Sequence, residues 1–580
     1  MAHVQRFITL PAFASAIALV LSSCGHPNTP PETVNTPPPA TTSVQPPAPS
    51  PNEQAQAFLS VYLPEYAKLE SAAALGYWTA ANSGKQEDFD AAAKAELELK
   101  KLHSDTARYQ QITSFLKQRG DLDPLTVRSL EVAELEFKGN QLPTEILERM
   151  VSASSEIEKT FNTYRASIDS KTYTNNELLE MLAKDRNSKK RQLYWEGLKQ
   201  VGEQVGAKIV ALAKIRNEAA RQLGYESYWD MQVRLQEHEP QRLIAIFQEL
   251  ESVTNGPFAE MKATMDAELA KRFGIKPDQM MPWHYDNPFF QDAPPSAKVD
   301  LDDFYKGKTK EDIVTIAKRY FSDIGIDITP IVEKSDLFDR EGKDQHAFCI
   351  AINREGDVRT LLNIKPKADS METMLHEQGH AIYYRLHDTT LPYNLREAAH
   401  IFTTEGIAMM FGAISKTPDW IIQYAGADPK KVAAASADIR EQRRREQLLF
   451  TRWTLVMLNF EKALYDNPDQ DLNTLWWDTV EKYQMLKRPV GRNAADWASK
   501  PHFTIAPVYY HNYMLGELFA SQLRHTIANK PDFKQQDLGA FLTEAVFKPG
   551  RQTKWPEFVR NVTGEDLTAR HFALETTRGK

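Results

Sequence analysis

Residues 374–386 read MLHEQGHAIYYRL and place His376 and His380 four positions apart, with Glu377 directly after the first. On a helix, positions i and i+4 stand one above the other on the same face, so two imidazoles can be aimed at one ion. Glu377 then lies beside the first ligand, where its carboxylate can act as a base on a water at the metal. A catalytic zinc site needs a third protein ligand and an open position. The long form of the motif, with a third histidine on the same helix, fails because Tyr383 and Leu386 occupy the required Gly and His places. His387 is one residue out of step and reads as ordinary helix polarity.

A glutamate from a second helix is the remaining route. The stretch 394–414, NLREAAHIFTTEGIAMMFGAI, supplies Glu397 and Glu405. Glu405 opens an apolar helical run, and a carboxylate on a buried face needs a partner such as a metal ion. Glu397, beside Arg396, reads as a surface pair. Just upstream, HAFCIAINREGDVRTLLNI (346–364) predicts two short strands about a Gly/Asp turn, a hairpin directly before the metal helix.

The elements that must position these residues are mostly helices. From about Glu53 apolar residues recur every three and four positions, with Pro and Gly punctuating between segments. Residues 187–231 predict two long helices ending in a Gly turn. With 580 residues, 42% hydrophobic and 26% charged, the chain can bury a large core. The net charge of −8 is spread out, and no basic stripe points to nucleic acid.

The N-terminus stands apart. Residues 7–21 form an apolar run too short for a comfortable membrane span, and LSSC at 21–24 resembles the bacterial lipoprotein signal. That resemblance implies a signal peptide over 1–23, acylation of Cys24, and membrane attachment in the bacterial cell envelope, at the outer membrane or periplasm. The Pro/Thr/Ser-rich stretch that follows makes 24–52 a lipidated tether, and 53–580 the folded domain. Cys349, the other cysteine, reads as a small buried hydrophobe.

The segment HEQGHAIYYRLHDTTLPYNLREAAHIFTTEG resembles the zinc segment of the peptidyl-dipeptidase A family, to which angiotensin-converting enzyme belongs. RNEAARQLGYESYW (216–229), LWWDTVEKYQML (475–486) and KPHF with YYHNY (500–513) extend the resemblance over most of the chain after the tether. It implies a mainly α, two-lobed helical fold with a deep central channel and the small hairpin next to the zinc helix. It implies one zinc held by His376, His380 and Glu405, with Glu377 as base and His502 and Tyr513 as donors to the oxyanion. His346 and Ala347 match the substrate-holding strand. Lys500, with Tyr510, matches the cation that reads a free C-terminal carboxylate. The implied activity is release of dipeptides from the C-termini of short peptides.

Departures from the family pattern leave other readings open. His284 falls where the carboxylate glutamine is expected, which makes single-residue release or an oligopeptidase activity the alternatives. Val480, and His511 or Asn512, stand where chloride-linked arginines are expected, so chloride is not carried over. Met409 replaces the aspartate that orients a metal ligand, which raises a further reading, a catalytically weak peptide-binding envelope lipoprotein.

Overall fold

The computed structural model describes residues 49–294 and 299–577. The signal segment, Cys24 and most of the tether lie outside the described residues. Among those described, no helix is long and apolar enough to cross a membrane.

The fold is mainly α-helical, with two separate two-stranded hairpins. The first helix, Pro51–Ser83, starts where the proline-rich composition ends. Pro51 occupies the first helical turn, where its missing N–H costs nothing, and Ser50 and Glu53 cap each other's backbone. Gly84, at φ 66°, ends it in the left-handed conformation. Residues 187–231 depart from expectation. A single 35-residue helix, Ser188–Gln222, runs through most of the stretch and the short helix Tyr228–Leu235 follows. Gly197, Gly202 and Gly206 lie inside the long helix on buried positions rather than breaking it, because neighbouring segments press against them.

The hairpin of β1 (Ala166–Ile168) and β2 (Lys171–Tyr173) breaks the run of helices that the apolar periodicity predicts. Its two-residue loop, Asp169–Ser170, has φ of 49° and 63° at both positions, the mirror-image turn that suits a twisted pair of strands. An Asp-Ser turn carries a weaker signal than Asn-Gly. The predicted hairpin does form, from β3 (Phe348–Ala351) and β4 (Val358–Leu361), with Phe348 opposite Leu361 and Ala351 opposite Val358. Asp336 bridges to Leu361 on the outer side of β4, so among the described residues the outer edge of β3 is the unpaired one.

One hydrophobic core surrounds the metal-motif helix, and a second, built on Tyr62, Tyr66, Phe137 and Tyr393, packs the N-terminal helices. Glu237 ties distant parts of the chain together. It accepts from Arg128 Nη1 at 2.6 Å and from Arg551 Nη2 at 3.2 Å, with its side chain 7% exposed. Burial opposes its ionisation, yet the two guanidinium groups hold its pKa down to about 2. A depressed carboxylate pKa stabilises the fold above the unfolded value and loses that contribution as pH falls through the folded value. Glu237→Gln is therefore expected to lower unfolding free energy by about 3 kcal/mol at pH 7. The gap to wild type should narrow in denaturant titrations as pH falls from about 4.5 toward 2. A gap that is constant across that window would refute the assignment.

Candidate metal and peptide site

His376, Glu377 and His380 lie on the helix Ala368–Arg385, buried along nearly its whole length. A second helix, Ile401–Ile414, crosses it closely. A Cβ on Gly379 would lie 2.8 Å from Ala408 Cα, so only glycine admits the approach. That crossing brings Glu405, one turn before Ala408, over the histidine face. Glu405 Oε2 lies 3.9 Å from His376 Nε2 and 3.8 Å from His380 Nε2. One ligand atom from each of the three residues falls within 4.8 Å of the others, and among the described residues no other such group of His, Cys, Asp and Glu forms. A third helix, His511–Ala528, packs against the second through Gly406 and Gly516.

The electrostatics suit a divalent cation. Glu405 is 1% exposed, and burial raises its pKa to about 8 although a hydrogen bond from Tyr509 at 3.4 Å opposes the shift. Burial pushes Glu377 well above the usual carboxylate range, and the charge of Glu405 pushes it further. Glu377 Oε2 and Glu405 Oε2 are buried without a hydrogen-bond partner among the described residues. Two adjacent buried carboxylates of this kind are expensive unless a divalent ion reverses the local field. The donor set, two imidazoles and one carboxylate, is that of a catalytic zinc site.

His380 Nδ1 lies 2.7 Å from Thr404 Oγ1, which fixes the ring and aims Nε2 inward. Thr404, one residue before Glu405, thus orients a ligand from a position that sequence reading did not flag. Met409, where an acid was expected, lines the cavity instead.

The cavity at the metal triad is also lined by His502, Tyr510 and Tyr513, three of the residues expected there. Tyr509 and Tyr513 contact each other edge to face, and Tyr509 donates to Glu405. Tyr510 packs against His502 and stands 5.6 Å from the Lys500 ammonium. Lys500 is buried, ringed by Phe289, Trp453 and Tyr510, and has no carboxylate at ion-pair distance among the described residues. Desolvation lowers its pKa to about 8, against the pull of Asp292.

The expected place of His284 beside this cation requires correction. His284 is buried elsewhere, 2.7 Å from Ser188 Oγ and accepting from the Met281 backbone N–H at Nδ1, both of its nitrogens engaged. Lys500 Nζ donates instead to Gln291 Oε1 at 2.7 Å. The two lie seven positions apart, and a turn with Phe290 at φ 49° stands between them. Gln291, and not His284, is thus the residue that meets the Lys500 ammonium.

His346 and Ala347 precede β3 directly, but His346 is 70% exposed, contacts Asp344, and does not line the metal cavity. Glu397 is not the helix-surface partner of Arg396. The residues before Ile401 form a loop, where Arg396 pairs with Glu355 at 3.2 Å and Glu397 sits between Arg354 and Arg551 at 3.5 and 3.4 Å. His387 lies beyond the end of its helix, with Nε2 against the Arg354 carbonyl. Cys349 is buried in the core as expected.

The arrangement defines a metallopeptidase-type centre: a helix-borne His/His pair, a buried glutamate between them, and a second glutamate from a crossing helix. The family model of angiotensin-converting enzyme matches residues 49–574, and the chain belongs to that family of zinc-dependent peptidases. Rat angiotensin-converting enzyme is 23% identical over 460 residues, covering 72% of this chain and 34% of the rat protein. The golden hamster (Mesocricetus auratus) enzyme is 22% identical over 498 residues, 78% of this chain and 36% of that protein. Carboxypeptidase 1 of Bacillus subtilis is 24% identical over 260 residues, 39% of this chain and 51% of that protein. The chain spans about a third of the length of the angiotensin-converting enzymes it matches.

Proposed function

We propose that this protein is a zinc-dependent peptidase that reads the free C-terminus of short peptides and releases a dipeptide from it. The observation that carries the reading is the pairing, around one buried region, of the metal triad with a desolvated lysine that lacks an anionic partner. Zinc held by His376, His380 and Glu405 would polarise the peptide carbonyl and make water acidic. The chain's own residues do the rest. Glu377 takes a proton from the attacking water and returns it to the departing amine. Tyr513 and His502 donate hydrogen bonds to the carbonyl oxygen as its charge grows. Lys500, Gln291 and Tyr510 hold the terminal carboxylate, and the unpaired edge of β3, with His346 and Ala347 at its start, is available to an extended peptide by strand addition.

Single-residue release is the second reading, favoured by the similarity to a protein named carboxypeptidase. We place the enzyme in the bacterial envelope, anchored by a lipid on Cys24, on the strength of the sequence motif.

Products identified by mass after incubation with free-acid and C-terminally amidated peptides test the proposal. C-terminal dipeptides from the free acid alone, lost with a chelator and restored by zinc, are expected. Equal cleavage of the amide would replace it with an oligopeptidase, and absence of zinc-dependent cleavage would overturn it. Two further outcomes follow from the carboxylate site. Gln291→Ala is expected to raise KM for free-acid peptides by roughly tenfold, the worth of one charge-assisted hydrogen bond, while His284→Ala leaves KM within about twofold. A larger effect at His284 would contradict the geometry. The second concerns pH. Lys500 is a cation below its pKa of about 8, so kcat/KM for free-acid peptides should fall as pH rises through about 8. A flat profile for free acids there would exclude Lys500 as the anchor.

A further inference from the structure

Beyond the metal triad the cavity continues along a charged wall that the reaction does not use. Glu372, Glu446 and Glu517 line it against two cations, Lys416 and Arg443. Lys416 is already engaged: its ammonium lies 2.8 Å from Glu372 and 3.8 Å from Glu446. One lysine thus serves two carboxylates, which leaves a surplus of negative charge. Glu517 and Arg443 form no ion pair or hydrogen bond at contact distance among the described residues. Arg524, the other cation felt by Glu517, is held by Glu575 at 2.6 Å. Burial raises the Glu517 pKa despite these cations, so its carboxylate is poorly compensated.

The remaining lining at this end is mostly apolar, with Met409, Phe450 and Phe572 in place beside Gln447. An aliphatic stem laid on these side chains with a cationic head at Glu517 satisfies both parts of the wall, as lysine and arginine side chains do when a long stem crosses apolar surface to reach a carboxylate. An acidic side chain would face three carboxylates, and a purely apolar one would leave Glu517 desolvated without a partner. The cavity also includes His502 and Tyr510, the latter in contact with the carboxylate-reading lysine, but not the residues of β3. The side chain that enters it therefore belongs to the part of the peptide C-terminal to the cleaved bond.

We propose that Glu517, supported by Glu372 and Glu446, makes this cavity a subsite selecting a lysine or arginine in the released C-terminal fragment. The inference rests on the carboxylate-anchored peptidase reading given above.

The test compares peptides that differ only in having arginine, norleucine or glutamate at each of the last two positions. For the zinc-loaded wild-type protein, kcat/KM is expected to favour arginine over norleucine by about tenfold at one of the two positions, with glutamate poorest. Glu517→Gln should collapse that ratio toward one, and Glu517→Asp, which keeps the charge, should retain the direction of preference. Equal rates for arginine and norleucine in the wild type overturn the proposal, as does a ratio unchanged in Glu517→Gln. Calorimetric binding of the same peptides to zinc-loaded Glu377→Gln separates the two readings. Tighter binding of arginine peptides without cleavage by the wild type would sink the peptidase reading and keep the subsite. Cleavage without any binding preference would do the reverse.

Discussion

Replacing Glu377 by glutamine is expected to lower kcat for peptide cleavage by roughly 10²–10⁴-fold, the usual contribution of a positioned general base. Bound zinc should remain near one per chain. Glutamine keeps the size and hydrogen-bonding outline of the side chain but cannot take a proton. The side chain is 2% exposed with one carboxylate oxygen unpartnered, so the substitution removes a desolvated charge that the fold itself does not use. Stability should hold or rise, because burial and the neighbouring Glu405 both disfavour the ionised form without a metal. Steady-state kinetics, metal analysis and thermal melting on one preparation check all three parts. Substantial turnover by the variant would show that Glu377 is not the base. A parallel loss of zinc would show that it serves the metal site instead.

The second large effect is expected where two helices meet through glycines. Gly406 faces Gly516 where the glutamate-bearing helix meets the helix His511–Ala528, and a Cβ at Gly406 would lie 2.8 Å from the Gly516 carbonyl oxygen and 2.9 Å from Phe519 Cδ1. The carbonyl is backbone and cannot rotate away. Gly406→Val must therefore separate the helices, and overpacking of this kind costs about 1–3 kcal/mol or more. Glu405 is the adjacent residue, and Gly516 lies between Tyr513 and Glu517, so the same shift moves a metal ligand relative to its histidines and the tyrosine relative to both. Displacements of about 1 Å at a reacting site can cost 10²-fold in rate. A lowered melting temperature, weaker zinc binding and a fall in kcat/KM are expected together. Wild-type melting and zinc affinity would mean that the crossing has slack the geometry does not show.

The metal site was legible in the sequence because its elements obey local periodicity. His376 and His380 share a face by the four-residue spacing alone, and Glu405 was recognisable as a charge embedded in an apolar helical run. The hairpin at 346–364 carried its own turn chemistry, and it forms as a short antiparallel pair. Other readings failed where the deciding contact lies outside the segment. The Asp169–Ser170 turn makes a hairpin out of residues with helical neighbours, and three internal glycines do not interrupt the helix Ser188–Gln222 because other segments pack onto them.

The carboxylate site shows the division most clearly. The family resemblance pointed to His284, whereas the chain brings Gln291 to Lys500, since a turn between them makes distance along the chain a poor guide to position. Thr404 was likewise invisible as the residue that holds His380, because a hydroxyl on a buried helix has no sequence signature until its partner is in place. By itself the sequence determined the metal-ligating residue types, the glutamate beside them and the helical class, which follow from residue chemistry and short-range periodicity. Tertiary structure alone decided which glutamine meets the lysine, that Tyr509 donates to Glu405, and that a wall of three glutamates opens onto the metal cavity. Those choices depend on where helices cross, and crossing points are set by glycine contacts between segments far apart in the chain.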